Sequence, residues 1–153
     1  MKVLENRIPP PLAGLVCGFL MWLLARFTPI IALPGSLRLI LAVMFGVLGF
    51  AIAIAGVVAF RRSRTTVNPL KPETASELVT GGVYRITRNP MYLGLALVLI
   101  GWAVFLSTPA SLLGVVLFMA FIDRFQIRPE ERAMRGLFGE AFSAYASRVR
   151  RWL

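Results

Sequence analysis

The chain has 153 residues, enough for one domain, and 58% of them are hydrophobic, well above the roughly 45–50% of an average protein. The net charge is +10, from 17 Lys and Arg against 7 Asp and Glu, and the chain has no histidine and one cysteine, Cys17. These numbers exclude disulfide frameworks, cysteine or histidine metal sites and imidazole catalysis, and no metal is predicted.

Four apolar segments predict an all-α integral membrane protein, a single domain over residues 1–153. Leu39 to Phe60 is uncharged for 22 residues, which at about 1.5 Å per residue crosses a hydrocarbon core of about 30 Å. Asn89 to Ile122 is uncharged for 34 residues, too long for one span, so a turn at Ser107–Ser111 is predicted to divide it. The predicted spans are about residues 9–27, 38–60, 89–106 and 110–127.

Basic residues set the predicted orientation. They are concentrated in residues 61–88 and 123–153, whereas the turn between the third and fourth spans has none. Cytoplasmic loops carry the excess of Lys and Arg, so the middle loop, the helical tail and both termini are predicted to be cytoplasmic, in a prokaryotic plasma membrane. The expected partners of these charges are membrane lipids and not nucleic acid, because no nucleic-acid-binding motif accompanies them.

The stretch "RNPMYLG" begins the third span. Asn89 is a good N-cap and Pro90 a favoured first helical residue, and this simple helix start is one sufficient interpretation. The other is an anion site, because free backbone N–H groups and the positive dipole end lie beside Arg88. Tyr84 and Tyr92 bracket this point, either as interface tyrosines or as walls of a pocket for a flat or cationic group.

A second charged stretch, "DRFQIRPEERAMRG", follows the fourth span. Pro129 is predicted to start a new helix with Glu130 and Glu131 in its first turn, where acids suit the helix dipole. Arg124, Arg128 and Glu131 fall at helical spacing on one side. Charges this close to an apolar span tend to be functional or to pair with one another. The tail that follows is predicted to lie at the membrane interface, with Tyr145, Arg148, Arg150, Arg151 and Trp152 at headgroup level.

In order and spacing, "LVTGGVYRITRNPMYLG" and "RPEERAMRGLFGEAFSAYASRVRRWL" closely resemble the isoprenylcysteine carboxyl methyltransferase family and, more distantly, the phospholipid N-methyltransferases. The resemblance covers residues 78–153. It implies that S-adenosylmethionine binds within residues 76–153, between the last two spans and the cytoplasmic segments. The implied cofactor-binding residues are Leu78, Val79, Tyr84, Arg88, Asn89, Pro90, Met91, Tyr92 and Glu130 or Glu131.

The resemblance also implies roles. Arg88 and Asn89 are expected to hold the cofactor carboxylate, and one acid of the Glu130–Glu131 pair its ammonium or ribose. The better-known family members have histidine where this chain has Asn89, and an amide can hydrogen-bond but cannot titrate. The family's substrate-binding arginine has two candidate matches. The predicted catalytic residues are therefore Arg124, Arg128 and Glu131.

The expected function is methyl transfer from S-adenosylmethionine to a lipid-like acceptor, a carboxylate or thiol on an isoprenoid or related molecule. A carboxylate is already nucleophilic at neutral pH, so no histidine base is required. The alternatives are methylation of an ethanolamine phospholipid, which needs Glu, Asp or Tyr as a base, and a non-catalytic lipid-binding subunit. The sequence identifies no protein partner.

Overall fold

A computed structural model describes residues 5–62 and 77–153. Residue 76, the first of the predicted cofactor segment, and the basic residues Arg64 and Lys71 lie outside these ranges. The described residues form helices and no strand, which confirms the all-α prediction. The α-helices are α1 (Pro10–Ala25), α2 (Gly35–Arg62), α3 (Pro90–Leu106), α4 (Leu112–Ile122) and α5 (Arg128–Arg148).

Two helices among the described residues are long and apolar enough to cross a membrane. One is α2, with 28 residues, and the other is the helical stretch Pro109–Arg148, 40 residues, which has a kink at Gly139, where φ is 49°. Helices α1 and α3 are equally apolar but have 16 and 17 residues. At about 1.5 Å per residue these two are shorter than a hydrocarbon core of about 30 Å. Length and composition alone therefore support two crossings, and four spans remain a prediction.

The chemistry of local residues explains where α3 begins and ends. Asn89 is its N-cap residue and Pro90 its first helical residue, as predicted, but the Asn89 side chain makes no capping bond to its own helix. At the other end Ser107 adopts a left-handed conformation, with φ of 55°. A short 3₁₀ turn, Pro109–Ser111, follows within the predicted turn and leads into α4.

Helices α2 and α3 pack with their backbones in close approach. A Cβ added at Gly94 would lie 2.4 Å from the Gly49 carbonyl oxygen, and one added at Gly49 would lie 2.5 Å from that of Gly94. Only glycine permits this distance, and small residues at helix interfaces are typical of helix packing within membranes. The contact continues to the start of α3, where a Cβ at Gly56 would lie 3.0 Å from the Pro90 ring.

Helix α1 packs against α3 and α4 on the other side. Met21 and Phe118 are fully buried in this core, and the Trp102 indole N–H donates to the Gly18 carbonyl at 3.0 Å. The segment before α1 is tied to the chain just after α4, since the Asn6 N–H donates to the Phe125 carbonyl at 3.0 Å.

Helix α5 continues from α4 without the predicted new start at Pro129. A π turn, Asp123–Ile127, joins them, and the Arg128 N–H donates to the Asp123 carbonyl five residues earlier. Proline has no N–H, so Pro129 leaves a carbonyl of the preceding turn without its helical donor. The Phe125 carbonyl, four residues before Pro129, is bonded instead by Asn6. The wider turn therefore accommodates the proline without ending the helix.

The close approach of α2 and α3 predicts a position-specific effect of adding one methyl group. We expect Gly49→Ala to reduce the free energy of unfolding by about 1–3 kcal/mol, because its Cβ meets backbone that cannot rotate away. The control is Gly46→Ala in the same helix, where an added Cβ meets nothing within 4 Å. That change is expected to be neutral or stabilising, because alanine is the better helix former. Thermal unfolding in detergent measures both, and equal melting temperatures would contradict the packing.

Candidate active site

The first turns of α3 and α5 meet through Tyr92 and Glu130. The Tyr92 hydroxyl donates to the Glu130 carboxylate oxygen Oε1, and the tyrosine side chain is buried. Desolvation raises the pKa of Glu130 to about 8, the Tyr92 hydrogen bond lowers it in part, and the charge of Glu131 raises it again. Tyr92 and Glu130, which are 38 residues apart in the sequence, thus join the starts of the two helices. The raised pKa of the Glu130 carboxyl group favours its protonated form near neutral pH.

The neighbouring acid, Glu131, is held by two arginines. Arg151 forms a bidentate pair with it, from Nε to Oε1 at 2.9 Å and from Nη2 to Oε2 at 2.7 Å. Arg88 Nη2 lies 2.9 Å from the same Oε1. Two hydrogen bonds from Arg151 and the charge of Arg88 therefore compensate the burial of this carboxylate. Adjacent acids in one helical turn thus have opposite environments.

The ion network extends to the π turn. Asp123 accepts from Arg151 Nη1 at 3.1 Å through Oδ1 and from Arg128 Nε at 2.8 Å through Oδ2. Arg128 lies five residues after Asp123, the separation that one π turn brings onto the same side. Arg128 is thereby linked to Glu131 through Asp123 and Arg151, and about half of its side chain is exposed.

Residues 149–151, which we call the tail strap, hold the segment before α3. The Arg88 N–H donates to the Arg150 carbonyl at 3.0 Å. The Arg151 carbonyl accepts from the Thr87 hydroxyl at 3.1 Å and from the Asn89 side-chain amide at 2.9 Å. The Asn89 side-chain amide thus bonds to the strap and not to its own helix, and the Asn89 backbone N–H donates to the Thr87 hydroxyl at 3.2 Å.

Arg88 crosses this region and leaves one donor free. Its Nη1 donates to the Ala146 carbonyl at 3.3 Å, and its Nη2 pairs with Glu131. Its Nε is buried and has no hydrogen-bond partner among the described residues. A buried charged donor without an acceptor is costly, so this atom marks a place where an anionic group would be stabilised.

The remaining predicted cofactor residues flank this network. Tyr84 is buried together with Val79, Phe142 and Tyr145, and Leu78 packs against this cluster. The Tyr145 hydroxyl donates to the Tyr84 carbonyl at 2.7 Å. Burial raises the pKa of Tyr84, and the Tyr145 and Glu130 charges add to this effect, so it remains a neutral aromatic wall. Pro90 and Met91 face α2, where both lie against Gly56.

Arg124 lies apart from the other predicted catalytic residues. Its Nη1 is 3.6 Å from Glu5 Oε1, and its guanidinium lies 5.7 Å from the centroid of the Phe125 ring. Glu5 is also bonded by Arg132. The predicted stripe assumed 3.6 residues per turn throughout, whereas the π turn changes the phase between Arg124 and Glu131. The structure therefore brings together Glu131 and, through Asp123, Arg128, but not Arg124.

Several residues of the network were not among the predicted site residues. Arg151 and Tyr145 were expected at headgroup level, whereas Arg151 binds Glu131 and Asp123, and Tyr145 is buried. Thr87 is fully buried and bonded to the strap. Asp123 lies outside the predicted stripe of Arg124, Arg128 and Glu131. One feature of the sequence indicates such contacts, namely the excess of 17 Lys and Arg over 7 Asp and Glu. With so few acids, each buried acid is expected to pair with arginine.

An apolar cavity of about 820 Å³ lies between α1, α2 and α3. It extends from Pro11 and Leu95 to Trp22 and Phe105, and its lining is almost entirely carbon. Leu95 is one helical turn from Tyr92, so the cavity begins close to the site and continues away from the charges.

The chain matches the phospholipid methyltransferase family over residues 37–141. It belongs to that family. It is 33% identical over 138 residues to protein-S-isoprenylcysteine O-methyltransferase A of Arabidopsis thaliana, which covers 86% of this chain and 69% of the relative. It is 33% identical over 105 residues to the B protein of the same plant, covering 67% of this chain and 52% of the relative. The resemblance seen in the motifs is thereby confirmed.

A bacterial relative is shorter. A Haemophilus influenzae protein is 41% identical over 63 residues, which are 41% of this chain and all of that protein. The chain spans about half to two thirds of the plant enzymes described above. No solved structure matches.

The raised pKa of Glu130 predicts a pH dependence of stability. The folded state binds a proton at Glu130 up to a pH of about 8, whereas the unfolded chain releases it near the ordinary carboxyl pKa of about 4.3. The stabilisation is therefore full below the unfolded pKa and is lost as pH rises through the folded one. We expect the melting temperature of the wild type to fall relative to that of Glu130→Gln between about pH 4.5 and 8. A constant difference across this range would contradict the assignment.

Proposed function

We propose that this protein is an S-adenosylmethionine-dependent methyltransferase of a membrane that acts on a lipid-like acceptor, a carboxylate or thiol on an isoprenoid or a related molecule. Membership of a methyltransferase family supports the reaction class. The observation that carries the proposal is the contact of Tyr92 with Glu130. It brings the first turn of α3 against the acidic first turn of α5 within the matched part of the chain.

The donors and acceptors of the site fit the two charged groups at the amino-acid end of the cofactor. The free Nε of Arg88 suits a carboxylate. Glu131 is already occupied by Arg151 and Arg88, so we assign the cofactor's ammonium or a ribose hydroxyl to Glu130. A cation bound there favours the ionised form of Glu130 and releases its proton. Tyr84 and Tyr92 provide aromatic surface, and the cofactor when bound supplies an electrophilic methyl group.

The protein's own residues would then position the reactants and exclude water. A methyl group is transferred in line, so fixing the acceptor and donor relative to each other supplies most of the rate enhancement. Arg128, partly exposed at the edge of the network, is the better-placed arginine for an anionic acceptor. Both arginines pair with an acid, Arg128 with Asp123 and Arg124 with Glu5, but only Arg128 is linked to the network around Glu131. In this proposal Glu131 does not contact the reacting atoms; it holds Arg88 in place.

The proposed membrane arrangement keeps all of this at the cytoplasmic face. Helix α2 and the helix that continues from α4 through the π turn into α5 cross the bilayer, with α1 and α3 as additional short spans beside them and both termini cytoplasmic. Large apolar side chains on α1 and α2 are exposed, among them Phe19 at 60% and Phe50 at 67%, which supports contact with lipid tails. Arg61 and Arg62 at the end of α2 lie at the same level as the site.

An amine acceptor such as an ethanolamine phospholipid is the second candidate. The matched family is described as phospholipid methyltransferase. Methylation of an ammonium group needs a base, and Glu130 is a carboxyl group whose pKa is raised toward neutrality.

Cofactor binding is the first test. Calorimetry of the purified full chain in nanodiscs is expected to show binding of S-adenosylmethionine, and Glu130→Gln is expected to weaken it about tenfold by removing a charge-assisted bond. Glu140→Gln, an exposed acid of the same helix, is the matched control and is expected to bind like wild type. Absence of binding by the wild type would overturn the enzyme and leave the non-catalytic lipid-binding subunit.

The product identifies the acceptor. Membranes containing the protein are incubated with S-adenosylmethionine radiolabelled in the methyl group, and the lipids are extracted. A methyl ester releases volatile label on mild alkaline treatment, whereas methylated sulfur and methylated amine retain it. Phospholipid headgroup analysis then separates the latter two. Label in the phospholipid headgroup would replace the first candidate by the second.

A further inference from the structure

The tail strap joins three parts of the site that are distant in sequence. Its Arg151 side chain bonds Glu131 and Asp123, and its Arg151 carbonyl bonds Thr87 and Asn89. One residue thus connects the start of α3, the start of α5 and the π turn. Neither the family resemblance nor the motifs assigned it any part in the site.

We propose that Arg151 is a positioning residue that sets the orientation of Arg88 toward the cofactor. This role rests on the proposed function. Glu131 has two carboxylate oxygens, and Arg151 binds both as a fork, at 2.9 and 2.7 Å. The rotation of the carboxylate is thereby fixed. Arg88 Nη2 then meets Oε1 from the remaining direction at 2.9 Å.

The orientation of Arg88 decides which of its donors remains free. Its two terminal nitrogens are both engaged: Nη2 pairs with Glu131 and Nη1 donates to the Ala146 carbonyl. The third nitrogen, Nε, is buried and has no partner among the described residues. The backbone N–H of Arg88 is fixed by the Arg150 carbonyl at 3.0 Å. The strap therefore constrains Arg88 at both its backbone and its side chain.

This arrangement requires an arginine at residue 151. A lysine at residue 151 keeps the charge but offers a single ammonium in place of a planar fork, so it cannot bond both oxygens of Glu131 and Asp123 in the same geometry. Glutamine removes the charge. The neighbouring Arg150 is exposed and contributes its backbone carbonyl to the contact with Arg88, so its side chain provides a matched control.

The test compares Arg151→Gln, Arg151→Lys and Arg150→Gln in the full chain in nanodiscs. We expect Arg151→Gln to raise the dissociation constant and the KM for S-adenosylmethionine about tenfold or more, with kcat at saturating donor reduced much less. Arg151→Lys is expected to restore only part of the affinity, and Arg150→Gln to match wild type within about twofold. A double variant, Arg151→Gln with Glu131→Gln, is expected to bind no worse than the more affected single variant, because the two residues act through one contact.

A milder variant keeps the inference testable if Arg151→Gln does not fold. Thr87→Val preserves shape and removes the hydroxyl bond to the Arg151 carbonyl, together with the bond that the hydroxyl accepts from the Asn89 N–H. A several-fold rise in the same KM is expected.

The outcomes separate this role from the proposed function. A wild type that binds S-adenosylmethionine, with Arg151→Gln or Thr87→Val binding as tightly, overturns the role and leaves the enzyme. An equal loss in Arg151→Gln and Arg150→Gln overturns it as well, because general surface charge then explains the effect. A wild type that binds no S-adenosylmethionine overturns the proposed function and this role together.

Discussion

The site depends on the carboxylate of Glu131. It is buried between the guanidinium groups of Arg88 and Arg151, with 12% of its side chain exposed. Removing one partner of a buried ion pair leaves an uncompensated charge and costs about 3–5 kcal/mol, whereas replacing the whole pair by apolar groups is often neutral. The main effect of the pairing is therefore to fix the geometry of the site, and its net contribution to the stability of the fold is small. It fixes the relative positions of residues 88, 131 and 151, which belong to three different segments.

The same contact explains how two adjacent acids differ. Successive residues of a helix point about 100° apart, so Glu131 faces the arginines while Glu130 faces Tyr92. Glu131 has two arginines as charged partners, which buried acids require. Glu130 has a neutral hydroxyl as its partner, which compensates its desolvation only in part, so its pKa is raised. Glu131 thus has its oxygens occupied by arginines, whereas Glu130 can still bind a cation. The sequence, which shows only two adjacent acids, does not distinguish them.

Local chemistry predicted the ends of α3 and the turn after it. Asn89, Pro90 and the Ser107–Ser111 turn each carry a backbone preference that their neighbours do not alter. The π turn and the tail strap could not be predicted in this way. A proline in this setting normally marks the start of a helix. Here the helix continues through Pro129, because the Phe125 carbonyl that the proline leaves without a donor is bonded by the N–H of Asn6, more than a hundred residues away. Arg151 bonds partners 20 to 64 residues away, so no periodic pattern identifies it.

The rigidity of the helices beneath the site matters for this interpretation. Groups that bind or orient a reactant are held most precisely on packed helices whose own positions are fixed. Gly49 and Gly94 bring α2 and α3 into backbone contact within the turn that follows Tyr92, so the start of α3 has little freedom to move relative to α2. On the other side, the α4–π–α5 helix carries Asp123, Glu130 and Glu131 on one continuous element. With both surfaces fixed, the strap is the remaining element that can change their alignment, and this is why a single arginine that the motifs gave no role has so much influence on the geometry of the site.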